Sequence, residues 1–421
     1  VTHAPINATD PAADDPAQGL RHDLVASLQE EGWVHDPRVA EALAAVPRHR
    51  FVPDAALETA YARETVSIKD DSAGASLSCA SKPAIVAMML HQADLAPGQR
   101  VLELGAGSGY NAALLSHLTA PGGQVTTIDV DPDLAEHART HLADAGYGHV
   151  RVLCGDGASG HPDGGPFDRI VATVGAFDVP PAWLDQLTPS GRLVVPVRLA
   201  GDASRSIALT PAEGYWRGVD VQMCTFMPLR HSSAADPRRV LDLTGDDAVT
   251  LWANQDQDIQ PESVRDIFTD KRTTTWTGVV FGNNESFGDL WLWLALTLDN
   301  SLSRMPVAGA ATEAGGVEPM LRWGSMATTA PSGQRGLAYM TLRPTGDRHE
   351  LGVIGHGAQG AALAERMARE ITHWSQHYRT REPTVDLHPR PHLPPEPEPG
   401  RFILTRPSAH LVVTWRQQPP L

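Results

Sequence analysis

Between Leu20 and about Leu229, short runs of consecutive apolar residues alternate with stretches in which apolar positions recur every three or four residues. That alternation predicts strands buried on both faces and joined by helices, as in a doubly wound, mostly parallel α/β sheet. Strands are expected at 100–104, 124–130, 150–154, 169–173 and 191–197, and helices at 83–90, 111–118 and 132–145. Beyond Pro228 the regularity fades. A polar, turn-rich junction at 231–237 leads into helical stretches at 287–298 and 361–378 and strand-like stretches at 337–343, 351–354 and 411–415, which read as a smaller α+β domain. The expected organisation is a flexible N-terminus at 1–19, an α/β domain at 20–230 and an α+β domain at 238–421. The proline-rich segment 389–400 is expected to be extended or looped, and no internal repeat of fixed period is visible.

Composition narrows the function. The chain has 421 residues with 34 basic and 50 acidic side chains, a formal charge of −16 that repels phosphate backbones. Nucleic acid is therefore not expected as a partner. The three cysteines, Cys79, Cys154 and Cys224, are far apart and form neither a disulfide framework nor a CxxC metal spacing, so no metal is expected and a reducing cytoplasm fits. The first residues, rich in Ala, Pro and Asp, lack the basic and apolar regions of a signal peptide. The most apolar window, 290–298, is far shorter than a bilayer-crossing helix, so no membrane span is expected.

The strongest chemical signal is Val101-Leu-Glu-Leu-Gly105-Ala106-Gly107-Ser108-Gly109-Tyr110, an apolar strand that breaks into closely spaced glycines and then a helix. Such glycines let the backbone turn sharply beside a ligand, with helix N-terminal amides at hand. The spacing is GxGxG, and a dinucleotide fingerprint would place its third glycine where Tyr110 stands. The next strand ends in Asp129 and Val130, the acid positioned to take the two hydroxyls of a ribose; a third ends in Gly155-Asp156-Gly157, able to border an adenine.

Taken together, these residues resemble the cofactor site of the Rossmann-like S-adenosylmethionine-dependent methyltransferases. The resemblance implies that Glu103 is the first-strand acid supporting the methionine amino group, although an acid there can also be structural. It further implies S-adenosyl-L-methionine as cofactor and S-adenosyl-L-homocysteine as product.

A narrower resemblance runs through most of the first domain. Residues 32–53, the segment Ser78-Cys-Ala-Ser81-Lys-Pro83, Gly155-Asp-Gly157, residues 166–176, Pro180 and residues 186–196 follow, in order, the pattern of the protein L-isoaspartate O-methyltransferases. That family carries Thr-x-Ser-x-Pro where this chain has Ser-x-x-Ser-x-Pro, with Cys79 in the threonine's place. The residues after the fourth strand, Thr173-Val174-Gly175-Ala176-Phe177, lack the Asn-Pro-Pro-aromatic run of amine-methylating enzymes, so the acceptor is expected to be an oxygen. Val174, Gly175 and Ala176 are expected to contact substrate. About 190 residues follow the first domain, and residues 285–295, 351–357 and 363–368 look like the second domain of a branch encoded with lanthipeptides and graspetides. That resemblance implies methylation of an aspartate side chain in a modified, macrocyclic precursor peptide, passing through a succinimide (aspartimide) to isoaspartate. Repair of isoaspartyl sites in damaged proteins is the alternative, and a non-catalytic peptide chaperone a third reading.

A peptide carboxylate, with its ordinary pKa near ~4, is already anionic at neutral pH, so methyl transfer to it requires no general base. Placement and partial desolvation of the acceptor are what the enzyme must supply. Ser81, which matches the family's serine, and Ser78 are the candidates for holding the carboxylate; the alternative makes them caps of the helix beginning at Pro83. Three further features read as structural. Gly355-His-Gly357-Ala-Gln-Gly360 is a literal GxGxxG without room for a complete binding half, His373 and His377 share a helix face without a third ligand, and Trp291 and Trp293 read as core.

Overall fold

The apolar run at 100–104 forms the middle strand of a parallel sheet in the computed structural model, which describes residues 16–70, 76–230, 236–313 and 315–415. Most of the expected N-terminal leader and residues 231–235 of the junction lie outside the described residues. The chain divides into two compact units: one takes residues up to Thr173 together with Gln186–Val194, the other Val174–Asp185 and residues from Val195 on.

The first unit opens with helices α1 (Pro16–Glu30), α2 (Pro37–Ala45) and the single turn α3 (Leu57–Ala60), followed by an antiparallel hairpin of β1 (Val66–Asp70) and β2 (Ser76–Ala80). Helix α4 (Pro83–Ala93) leads to β3 (Arg100–Leu104), α5 (Tyr110–Thr119), β4 (Gln124–Asp129), α6 (Pro132–Asp144), β5 (Arg151–Cys154), β6 (Phe167–Ala172) and β7 (Leu187–Ala200). The sheet order is β7–β6–β3–β4–β5, and each strand runs parallel to its neighbours. Leu102, Leu104, Ile170 and Val194 are fully buried, as expected of strands covered on both faces. Strand order reverses at β3, whose neighbours β4 and β6 lead away in opposite directions. The loop after β3 therefore sits at the topological switch point, where open α/β sheets bind ligands.

Local chemistry fixes the helix starts. Asp36 and Asp131 cap α2 and α6 by accepting the backbone N–H two residues on, and each is followed by a proline at the first helical position. Helix α5 starts from Gly109 at φ 88°, a left-handed conformation that suits glycine. A β-carbon there would stand 3.1 Å from Leu142 Cγ and 3.2 Å from the Ala138 carbonyl oxygen, so this glycine also lets α5 begin close against α6.

The second unit is built mainly of antiparallel strands. It contains α7 (Pro181–Asp185), the hairpin of β8 (Ala203–Ala212) and β9 (Tyr215–Met223), the ribbon of β10 (Arg238–Asp242) and β11 (Thr250–Asn254), and α8 (Pro261–Val264). After β12 (Arg272–Phe281) come α9 (Gly288–Thr297), β13 (Ser303–Pro306), α10 (Gly309–Glu313), β14 (Gly324–Thr329), β15 (Leu337–Thr345), β16 (Arg348–His356) and α11 (Gly360–His377). The chain ends in β17 (Pro383–Pro389), β18 (Arg401–Thr405) and β19 (Ala409–Trp415). One sheet runs β12–β16–β15–β14–β13; in another, β17 lies between β9 and β19.

This pairing explains why the units divide the chain differently from the 20–230 and 238–421 organisation read from sequence. Gly218 N–H donates to Asp386 Oδ1 at 3.0 Å, and Leu387 pairs with Trp216, so β8 and β9 group with the C-terminal strands. The expected strands and helices are otherwise present with shifted ends, the largest change being β7, which extends to 14 residues.

The GxGxxG of the second unit is a packing device. A β-carbon on Gly355 would lie 2.0 Å from the Gly360 carbonyl oxygen, and one on Gly357 2.9 Å from Ile267 Cδ1, so these glycines touch protein. Trp293 is core, donating to Glu370 at 3.1 Å and stacking on Tyr378. His373 and His377 face each other, but among the described residues no three metal-ligating side chains cluster. No helix among the described residues is long and apolar enough to cross a membrane.

Candidate active site

All three glycines of the loop after β3 have positive φ: 106° at Gly105, 51° at Gly107 and 88° at Gly109. A path of three consecutive alternate left-handed residues is open at low cost only to glycine. The loop is pinned from behind. Gly105 and Ala106 donate to the Ile128 carbonyl at 2.8 and 3.1 Å, and Thr173 Oγ1 donates to the Gly105 carbonyl at 2.7 Å. Ala106 and Ser108 are buried, whereas Gly105 and Gly107 are half-exposed. Among the described residues outside its chain neighbours, a β-carbon on Gly107 would meet only Ser78 Oγ, at 3.7 Å, and one on Gly155 would meet nothing within 4 Å. There is space in front of the loop and beside the end of β5.

Asp129 stands at the end of β4 with Oδ2 accepting Gly107 N–H at 2.9 Å and Oδ1 accepting Asp131 N–H at 3.1 Å. Each oxygen keeps accepting capacity, as a carboxylate has about four lone-pair sites. Val130 follows it, half-buried. Asp156 is exposed and uses one oxygen to accept Ala158 N–H at 2.9 Å, capping the turn that contains buried Gly157. A flexible glycine loop, a carboxylate at the second strand end and an acid with small residues at the third fit the methyl donor's ribose and adenine. The donor set present therefore suits S-adenosylmethionine.

Glu103, expected either to support the methionine amino group or to be structural, is hydrogen-bonded within the sheet. It is fully buried, with Oε1 accepting from Asn111 Nδ2 at 2.8 Å and Oε2 from Thr127 Oγ1 at 2.6 Å. The register that sets Glu103 opposite Thr127 makes it a strut between β3, β4 and the first turn of α5. Burial pushes its carboxyl up to about 7 against the opposing pull of those two hydrogen bonds, with Asp129 nearby adding to the rise.

The serine segment reaches the glycine loop through Ser78, whose hydroxyl stands 3.7 Å from where a Gly107 β-carbon would be. The capping alternative does not hold. The N-cap of α4 is Lys82, and no side chain caps that helix. Two residues that the sequence reading passed over secure this segment. Buried Arg48 donates from Nη2 to the carbonyls of Ala80 at 3.3 Å and Ser81 at 2.9 Å. Lys69 on β1 donates to Asp131 at 2.7 Å and Asp133 at 3.2 Å, tying the hairpin to the loop after β4. The hydrogen bonds hold the Lys69 ammonium above its usual range and the Asp131 carboxyl below its own. Lys69 has no motif that marks it, and Arg48, although inside the 32–53 run, carries nothing in sequence that shows its partners.

Val174, Gly175 and Ala176, expected to contact substrate, group with the second unit, and two of their amides are engaged within it. Gly175 N–H donates to the Met227 carbonyl at 2.7 Å and Ala176 N–H to that of Pro196 at 2.8 Å, so both amides close strand bridges. Ala176 is buried as well.

Residues 19–234 match the family described as Protein-L-isoaspartate(D-aspartate) O-methyltransferase (PCMT). The protein-L-isoaspartate O-methyltransferase of Methanopyrus kandleri is 44% identical over 188 residues, which span 44% of this chain and 80% of that protein. That of Hyperthermus butylicus is 39% identical over 217 residues, or 50% of this chain and 88% of its own length. A solved structure of a protein-L-isoaspartate O-methyltransferase is 20% identical with a TM-score of 0.47, covering 87% of this chain and 96% of that one. With half of its length matched, including the glycine loop, both strand-end acids and the serine segment, this chain belongs to the protein-L-isoaspartate(D-aspartate) O-methyltransferase family.

Proposed function

We propose that the protein is a peptide-tailoring carboxyl O-methyltransferase that methylates an aspartate side chain in a ribosomally made, modified peptide, with the second unit recognising that peptide. S-adenosyl-L-methionine is the cofactor and supplies a methyl group bonded to a positively charged sulfur. The chain's own residues do the rest. Gly105 and Gly107 leave room for the donor, Asp129 is the acceptor for its ribose hydroxyls, and Gly155, Asp156 and Gly157 border its adenine. Ser78 and Ser81 orient the acceptor carboxylate, whose charge at neutral pH removes the need for a base.

The methyl ester is a better electrophile than the carboxylate, because methoxide, taken off as methanol, leaves far more readily than oxide or hydroxide. The amide nitrogen of the following residue then attacks the ester carbonyl, methanol leaves, and a succinimide forms that opens with water to isoaspartate. None of these later steps calls on an enzyme side chain.

The observation that carries the tailoring reading is that the family match ends at residue 234, while a folded assembly of antiparallel sheets continues to Trp415. Repair of isoaspartyl sites is favoured instead by the 44% identity to a relative named for that substrate, over 80% of its length. Mass spectrometry with the cofactor, offering a linear isoaspartyl peptide and a macrocyclic aspartyl peptide side by side, separates the two. Methylation of the macrocyclic peptide is expected; methylation of the linear isoaspartyl peptide alone would establish repair and end the tailoring proposal.

A further inference from the structure

We propose that Arg48 is the positioning residue of the acceptor side, fixing the serine segment and supplying the buried positive charge that draws the acceptor carboxylate to it. This rests on the reading of Ser78 and Ser81 as acceptor-side residues.

Arg48 lies in the turn Arg48–Phe51 that follows α2, and only 1% of it is exposed. Its Nε donates to the Ala60 carbonyl at 2.9 Å, and its Nη2 to the carbonyls of Ala80 and Ser81. One planar guanidinium thus joins the end of α3 to the last residue of β2 and to Ser81. Its face lies over the ring of Tyr110, 5.1 Å from the centroid, and Tyr110 is the first residue of α5 after the glycine loop. The same side chain therefore touches the element that begins at the cofactor loop and the segment that bears the serines. Lysine, with a point charge and no rigid fork, cannot hold these directions at once.

The charge is uncompensated. Among the described residues no carboxylate pairs with Arg48; its hydrogen-bond partners are the carbonyls of Ala60, Ala80 and Ser81 and the Tyr110 hydroxyl, all uncharged at neutral pH. A buried cation without a counter-charge is unfavourable, and carbonyl dipoles offset only part of that. The reaction brings its own anion, the acceptor carboxylate, to the serine segment whose backbone Arg48 holds. An attraction acting on the acceptor before methyl transfer weakens once the ester is neutral, so it also favours product release. Its loss is felt in acceptor binding more than in donor binding.

The test uses the full chain with Arg48→Lys and Arg48→Met, steady-state kinetics on whichever of the two peptides the wild type methylates, and calorimetry with S-adenosylhomocysteine. Arg48→Met is expected to raise the acceptor KM on the order of tenfold or more, the scale of one lost charge-assisted contact, with homocysteine-product affinity within about threefold of wild type. Arg48→Lys, keeping the charge but not the fork, recovers part of the KM. Unchanged acceptor KM in a folded variant overturns the proposal, as does a parallel loss of S-adenosylhomocysteine affinity, which would make Arg48 a general prop of the fold. Should Arg48→Met fail to fold, Arg48→Lys carries the same comparison, with its KM expected between wild type and a tenfold rise. A wild type that methylates neither peptide overturns the reading of the site itself, and this proposal falls with it.

Discussion

A carboxyl group shut inside a parallel sheet makes stability depend on pH in a direction opposite to most acids. Glu103, ordinarily near 4.5, is held at about 7 in the fold. The raised value means the folded state keeps a proton that the unfolded chain has lost. Its contribution is complete below pH about 4.5 and declines as pH rises toward 7, by about 3 kcal/mol in all. Glu103→Gln should therefore gain on the wild type by roughly that amount between these pH values, as measured by denaturant unfolding at each; parallel curves would show that Glu103 is not so perturbed. His356 works in the opposite sense. Packed between Phe268 and Tyr339, it is buried, and that burial lowers its pKa. It is neutral in the fold, so its contribution is complete above the ordinary histidine value near 6.5 and is lost as pH falls below that. His356→Phe should flatten the acid limb of the stability profile, and an unaltered limb would assign it elsewhere. At the acceptor, Ser81→Ala should lower kcat/KM on the order of tenfold while leaving S-adenosylhomocysteine affinity in place, the scale of one lost hydrogen bond to a charged group. The conformations of the loop glycines were legible because family pattern and backbone need coincide there. Glu103's enclosure was not, since a strand sequence shows an acid but not the threonine that register sets beside it.

The elements that could be read from sequence were those whose pattern is set by burial on both sides. Val101, Leu102 and Leu104 are fully buried, and a run of that kind has few alternatives. Helices α2 and α6 announced themselves through Asp-Pro starts. The hairpin of β1 and β2 stayed hidden: Val66–Asp70 and Ser76–Ala80 are short, mostly half-exposed and polar, and their pairing depends on partners outside the local pattern. The loop between β3 and α5 offers a direct test of its backbone. Gly109→Ala places a β-carbon against Leu142 and the Ala138 carbonyl at φ 88°, and should cost roughly 1–3 kcal/mol, measured as a shift in the urea midpoint. A variant as stable as wild type would mean that α5 can begin elsewhere.

At the scale of the whole chain, the family match and the folding units do not end together. The match runs to residue 234, but β8 and β9 belong to the unit that continues to the C-terminus, where β17 pairs with β9. Sequence placed the change of character near Pro228 because composition shifts there, whereas pairing partners lie some 170 residues away and leave no local mark. Ending the chain at Leu229 should expose the β9 edge and yield aggregated protein on size exclusion, where the full chain elutes as a discrete species; a well-behaved truncated chain would contradict this pairing. The proposed chemistry comes down to a carboxylate placed beside a methyl donor without a base. The most direct measurement is NMR of an acceptor peptide incubated with the enzyme and S-adenosylmethionine labelled isotopically in its methyl group. The account requires the label to appear as a side-chain methyl ester, with methanol accumulating as the ester closes; label on nitrogen or sulfur, or none transferred to either peptide, would contradict it.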